Sequence, residues 1–219
     1  MTEEITLWGA NSARAMRVHW MLHEFGLAYD CHPVGSRTGE TQVPGYLAMN
    51  PKGKIPTLQH GAVTLSESAA IIQYIADAFP APDDFFIPSN PGEAGRLAEW
   101  SYFVAMELDA HSLYVIRRHG SLAHIYGAAP DVIASAEVYF LKQVNAVADR
   151  MFAHGPYLMG DKLSTADIIL MTCVDWARAC EIDLPAHLLA FQARVRARAP
   201  YQAAFAVNYT DREISAFRT

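Results

Sequence analysis

Asn50-Pro51-Lys52-Gly53-Lys54-Ile55-Pro56-Thr57-Leu58, with Leu65-Ser66-Glu67-Ser68-Ala69-Ala70-Ile71 shortly after it, is the stretch around which this chain is organised. Pro56 falls one residue into what otherwise reads as a strand. Proline has no N–H for a ladder and is excluded from strand interiors, so it belongs at a strand start or edge. If the bond into Pro56 is cis, the backbone groups of Ile55 turn outward and can pair with something extended. Downstream, Ser66-Glu67-Ser68 opens an apolar helix, where unpaired N–H groups and the positive dipole end favour a carboxylate. A backbone edge beside an anion-accepting helix start, with Glu67 available for an ammonium, describes a socket for a small zwitterionic peptide.

Working outward, Ile5-Thr6-Leu7-Trp8 alternates like a short strand, and Gly9-Ala10-Asn11-Ser12 is a turn carrying helix-capping residues. Ala15, Val18, Leu22 and Phe25 recur at helical spacing until Gly26 ends the helix. Leu27 to Val34 reads as a second strand broken by Pro33, and Gly35 to Tyr46 as a polar loop with at most one irregular turn. Ile55–Gln59 and Ala62–Leu65 flank His60-Gly61 as a hairpin, and Glu67 to Phe79 is a helix. Strand, helix, strand, hairpin, helix is a thioredoxin-like order.

Pro80-Ala81-Pro82-Asp83-Asp84 is the clearest break, which gives an α/β domain over 3–80, a linker over 81–90 and an all-α domain over 91–219. Asn90-Pro91-Gly92-Glu93 resembles a capping box, opening a helix expected to run to about Arg118. A second helix is expected from about Asp131 to Phe152. Ser164-Thr165-Ala166-Asp167 has capping-box spacing at the head of a third, which assigns Asp167 to folding rather than chemistry. A last helix, about Pro185 to Arg198, is read as ending at Ala199-Pro200.

The net charge is −6 and no basic stretch is present, which argues against nucleic acid as a partner. Arg194, Arg196 and Arg198, like Arg117 and Arg118, read as solvated helix ends. No apolar run approaches the roughly 20 residues a membrane span needs, and Met1-Thr2-Glu3-Glu4 lacks a signal pattern. Three cysteines, Cys31, Cys173 and Cys180, form an odd set without CxxC spacing, which fits a reducing compartment; a cytoplasmic location is expected. His19 and His23 have the i,i+4 spacing of metal ligands, but with no further ligand in view they read as a solvated helix face, and no metal is expected.

The segments NPKGKIPTL and LSESAAI resemble the glutathione-binding half of the soluble glutathione transferases, and the helical remainder fits as well. The resemblance implies a cis Pro56, pairing of Ile55 with the cysteinyl backbone of glutathione, and a γ-glutamyl end held by Glu67 and Ser68. It also implies a buried capping motif at Ser164–Asp167 and a homodimer. Lys54, and more weakly Arg37, are candidates for the glycyl carboxylate.

A free thiol has a pKa near 8.5, so only roughly 3% is thiolate at neutral pH. A transferase must therefore stabilise the anion with a hydroxyl or cationic donor, best placed at a helix N-terminus. Ser12 is the only hydroxyl in the turn after the first strand. In serine-type members this turn reads aromatic-Gly, three residues, Ser, then a basic stretch ending Arg-Val. Arg14-Ala15-Met16-Arg17-Val18 matches the basic end, but five residues on from Trp8 stands Ala13, one past Ser12. Either the turn is one residue shorter and Ser12 reaches the sulfur, or Asn11, Arg14 or backbone N–H groups do the work; helix capping is the other role open to Ser12. The turn has no tyrosine and no cysteine, which disfavours tyrosine-type and thiol-transferring enzymes.

The resemblance places the hydrophobic-substrate wall on the turn after the first strand and on the first helix of the second domain, where Tyr102, Met106, His111 and Tyr114 are candidates, plain core being the alternative. Together these readings describe a transferase joining the glutathione thiolate to a small hydrophobic electrophile at the domain cleft. Two other classes stay open: a glutathione-dependent disulfide reductase or peroxidase without a catalytic cysteine, and a non-catalytic glutathione-binding scaffold.

Overall fold

The computed structural model describes residues 3–209. By internal contacts the described chain divides into two units, 3–82 with 195–209, and 83–194. The first carries a thioredoxin-like sheet with helices and the second is helical.

In the first unit, β1 (Ile5–Trp8), β2 (Asp30–His32), β3 (Thr57–His60) and β4 (Val63–Ser66) form one sheet of order β2-β1-β3-β4. β1 runs parallel to β2 and antiparallel to β3, with Leu7 opposite Leu58, and β3 turns back into β4. Alternation sends Ile5 and Leu7 into the core, whereas Trp8 faces the other way and stacks on His32 at 3.9 Å. α1 (Ala13–Glu24) and α3 (Ser68–Ala78) pack against each other, and Trp20 of α1 and Ile71 and Ile75 of α3 are fully buried.

β2 is shorter than the strand expected over Leu27–Val34, because it pairs with β1 only from Asp30 to His32 before Pro33 removes a donor. The expected polar loop contains a 3₁₀ turn at Glu40–Gln42 and the start of α2 (Pro44–Met49), with Pro44 in the first turn. A later helix, α11 (Ala199–Asn208), also belongs to this unit.

In the second unit, α4 (Pro91–Phe103) continues through a π-helical segment, Val104–Leu113, into α5 (Tyr114–His119). Asn90 caps α4 by accepting from Glu93 N at 3.0 Å, and Glu93 accepts from Ser89 N at 2.7 Å. Short α6 (Ala123–Tyr126) precedes α7 (Pro130–Ala146). The helix expected to reach Phe152 breaks at Val147 and resumes only as the turn α8 (Ala148–Met151).

α9 (Thr165–Ala179) is buried along almost its whole length and packs on α4 and the π segment. It is headed by a reciprocal capping box. Asp167 accepts from Ser164 N at 2.9 Å, from Ser164 Oγ at 2.5 Å and, through its other oxygen, from Leu158 N at 2.9 Å. Burial pushes the Asp167 carboxyl up to about 6, against the downward pull of these hydrogen bonds.

α10 (Ala186–Arg196) is followed by α11 (Ala199–Asn208). Pro200 therefore sits in the first turn of a further helix, where a missing N–H costs nothing, rather than ending the chain's last one. Among the described residues no helix is long and apolar enough to cross a membrane.

Replacing Asp167 by Ala strands three buried donors, each costing about 1–3 kcal/mol. Asp167→Ala is expected to lower the melting temperature by about 8 °C or more, measured by calorimetry. A shift within about 1 °C contradicts the assignment.

Candidate functional site

Gly9 has a φ of 133°, and a Cβ added there would lie 2.9 Å from Ile55 Cβ and 3.3 Å from Pro56 Cα. The turn after β1 therefore rests directly on the loop before β3 at a point with no room for a side chain. The Ile55–Pro56 bond is cis. Among the described residues, neither the amide nor the carbonyl of Ile55 has a backbone hydrogen-bond partner, which leaves a short open edge ahead of β3.

A buried polar knot shapes that edge. The Lys54 carbonyl accepts from Tyr46 Oη at 2.7 Å and Asn50 Nδ2 at 2.9 Å, while Asn50 Nδ2 also donates to Thr57 Oγ1 at 2.9 Å. Tyr46, Asn50 and Thr57 are all buried, so these bonds are little exposed to competition from water. The Lys54 side chain itself is exposed.

Ser12 caps α1, its Oγ accepting from Ala15 N at 3.0 Å. A hydroxyl that accepts one N–H still has its own proton to donate, so capping and donation to a thiolate are compatible roles. The first turn of α1 holds no acidic side chain to offset its positive end. Asn11 adopts a left-handed φ of 55°, a region asparagine tolerates better than most residues. Arg14 is half-buried in the first turn of the helix.

At the other corner, Glu67 has a φ of 75° and Ser68 is the first residue of α3. Ser68 is buried, and its Oγ accepts from Arg17 Nη1 at 3.2 Å. Arg17 lies on α1 and is itself buried, so a fixed positive charge stands behind the start of α3. Glu67 is exposed and already holds an ammonium, with Lys52 Nζ at 2.6 Å from Oε1. Asn11, Ser12, Arg14, Lys54, Ile55, Pro56, Glu67 and Ser68 thus all belong to the first unit. Gly9 against Ile55 and Arg17 to Ser68 tie its parts together.

Lys52 and Arg17 were not singled out by the sequence. Lys52 stands inside the stretch quoted at the outset, and Arg17 recurs three residues after Arg14 on the helix, a spacing that puts both near one face.

Tyr102, Met106, His111 and Tyr114 lie in the second unit. Tyr102 and Met106 are strongly exposed, at 70% and 55%, so they are not core. His111 turns toward Glu107, with Nδ1 3.8 Å from Oε2, and toward Tyr139, whose hydroxyl donates to Glu107 at 2.5 Å. His111 also lines a groove of about 450 Å³ with Val115, Asp131, Val132, Ser135, Ala136 and Tyr139.

Two expectations are corrected. His19 is not on a solvated face: it is fully buried, its Nε2 donating to the Gly9 carbonyl at 3.0 Å and its Nδ1 accepting from Tyr29 Oη at 2.8 Å. The carbonyl can only accept, which fixes the tautomer. Arg198 is not a solvated helix end either, since it grips Glu24 through Nε at 2.8 Å and Nη2 at 2.7 Å. Among the described residues no group of three or more His, Cys, Asp or Glu is arranged to hold a metal ion. Burial pushes the Cys31 thiol up and that of Cys180 to about 11, which leaves both poor in thiolate.

Residues 3–77 match the family model for the N-terminal domain of glutathione S-transferases, and residues 106–199 that for the C-terminal domain. Glutathione S-transferase 4 of Zea mays is 30% identical over 195 residues, which cover 86% of this chain and 84% of that protein. Maleylacetoacetate isomerase of Rhizobium meliloti is 30% identical over 181 residues, covering 80% of this chain and 82% of the relative. The theta class glutathione S-transferase of Xanthomonas axonopodis pv. citri, solved with glutathione bound, superposes with a TM-score of 0.75 at 31% identity, over 93% of this chain and 98% of that one. The chain belongs to the glutathione S-transferase family.

Burial pushes the His19 imidazole down to about 4; its hydrogen bond to Gly9 opposes this and the nearby His23 adds to it. The unfolded chain then binds the extra proton between pH 6.5 and 4. His19 therefore contributes stability above pH 6.5 that is lost as pH falls toward 4. Asp167 works in the opposite sense, its contribution being full below about pH 4 and lost as pH rises through about 6. Urea titrations should show the wild type losing about 2 kcal/mol more than His19→Gln between pH 6.5 and 4.5. Equal losses would remove His19 from the account.

Proposed function

We propose that this family member joins the thiolate of glutathione to a small hydrophobic electrophile. The observation that carries the reading is the contact of Gly9 with Ile55, which sets the Ser12 turn and the start of α1 beside an open backbone edge. The cysteinyl backbone of glutathione pairs with Ile55. Its γ-glutamyl carboxylate lies on the start of α3 and Ser68, with Arg17 behind, and Lys54 takes the glycyl carboxylate. The ammonium goes to Glu67. The resident Lys52–Glu67 pair is solvent-exposed and worth only about 0–1 kcal/mol, so an incoming ammonium can share or displace it.

The Ser12 hydroxyl donates a hydrogen bond to the thiolate sulfur, whose proton leaves to solvent, assisted by the α1 N-terminus, with Asn11 and Arg14 shaping the turn. A hydrogen bond to a charged group contributes about 1.5–3 kcal/mol, which lowers the thiol pKa by roughly one to two units. That takes the thiolate at neutral pH from roughly 3% to roughly half. Ionisation thus supplies about an order of magnitude, and holding the electrophile against the sulfur supplies the rest. Tyr102 and Met106, apolar and exposed, offer the electrophile contact area, with Tyr114 and His111 on the same helical stretch. The protein acts as a homodimer, as the resemblance implies.

Conjugation to an activated aryl halide, followed by thiol titration, tests the reading. One thiol should vanish per halide released, Ser12→Ala should lower kcat about tenfold or more, and Glu67→Ala should raise KM for glutathione. Wild-type kinetics in Ser12→Ala contradict it. Rearrangement of a cis-unsaturated diacid with glutathione returned intact would replace conjugation by isomerisation.

A further inference from the structure

We infer that Asn208, the last residue of α11, is a positioning residue for the turn that activates the thiol, an inference that rests on the role proposed for Ser12. Two peptide groups of that turn end on this one residue, 196 positions beyond Ser12. The Asn11 N–H donates to the Asn208 carbonyl at 2.8 Å, and Asn208 Nδ2 donates to the Ser12 carbonyl at 3.2 Å. The same Ser12 carbonyl accepts the first helical bond of α1, from Met16 N at 2.9 Å. Asn208 thereby fixes the peptide before the left-handed Asn11 and the peptide after Ser12 and, through them, the direction of the Ser12 hydroxyl.

Asn208 is fully buried, and among the described residues its Oδ1 has no hydrogen-bond partner. A buried acceptor left unmatched is unfavourable, and a leucine of similar size would occupy the space without it. The amide is explained by what its other end does, which is to hold Ser12. Asn208 itself is placed by anchors far from the turn. Arg198 grips Glu24 at the end of α1, and Tyr201 meets Trp20 edge-on at 5.2 Å between ring centroids. α11 therefore lies along α1, with its first turn at the foot of α1 and its last residue at the cap.

The test follows the ultraviolet absorbance of the bound thiolate against pH in the wild type, Ser12→Ala, Asn208→Leu and Arg198→Ala. Asn208→Leu should raise the bound thiol pKa by about one unit and lower kcat at pH 6.5 roughly tenfold, with KM for glutathione changing less than about threefold. Asn208→Ala serves as a second variant with the same expected pKa. Arg198→Ala should lower the melting temperature and raise the thiol pKa by less than either Asn208 variant, because it loosens one anchor of α11 and leaves the Asn208 groups that meet the turn in place. A raised pKa in Ser12→Ala with wild-type values in both Asn208 variants overturns the inference alone. An unchanged pKa in Ser12→Ala removes the Ser12 reading and the inference together.

Discussion

The site depends on one steric constraint: the turn after β1 and the loop before β3 meet where only a glycine fits. Gly9 provides both a positive φ and the absence of a Cβ that would stand 2.9 Å from Ile55. From that contact the turn runs on into Asn11, Ser12 and the start of α1, and the loop into β3 and then β4, which ends beside Glu67 and Ser68. The polar ends of the site are thus set by backbone geometry before any side chain acts.

Buried polar groups hold that geometry in place. The carbonyl of Lys54 is fixed by Tyr46 and Asn50, that of Gly9 by His19, and that of Ser12 by Asn208, while Arg17 backs Ser68. Each bond adds only about 1 kcal/mol to stability, but leaving such a group unmet costs more than making the bond gains. Conformations that break them are disfavoured, so the edge and the turn are shaped before a ligand arrives. Asp167 plays the corresponding part in the second unit, heading the helix on which that unit's core is built.

What the sequence disclosed was what local chemistry dictates. Pro56 cannot sit inside a ladder, Glu67-Ser68 opens a helix, and Asn90–Glu93 and Ser164–Asp167 carry capping spacings that the structure contains. The thioredoxin-like order and the helical remainder were legible for the same reason. What escaped depends on partners distant in sequence. His19 looks like a surface residue until Tyr29 and the Gly9 carbonyl close over it, and Arg198 until Glu24 does. Pro200 reads as a stop, yet a proline is equally at home in the first turn of a helix; taking it as an end hid α11 and with it Asn208. Ser12 posed a choice between cap and donor; the structure shows the cap, and a hydroxyl that accepts one N–H keeps its proton to donate.

In the proposed complex one tripeptide spans the open edge at Ile55, the start of α3 and the hydroxyl of Ser12. A crystal structure of the protein soaked with glutathione tests it most directly. Cysteinyl N–H and C=O should pair with Ile55, the γ-glutamyl carboxylate should lie on Ser68, and the sulfur should sit within hydrogen-bonding distance of Ser12 Oγ. A glutathione whose sulfur points away from Ser12, or whose backbone leaves Ile55 unpaired, would contradict it.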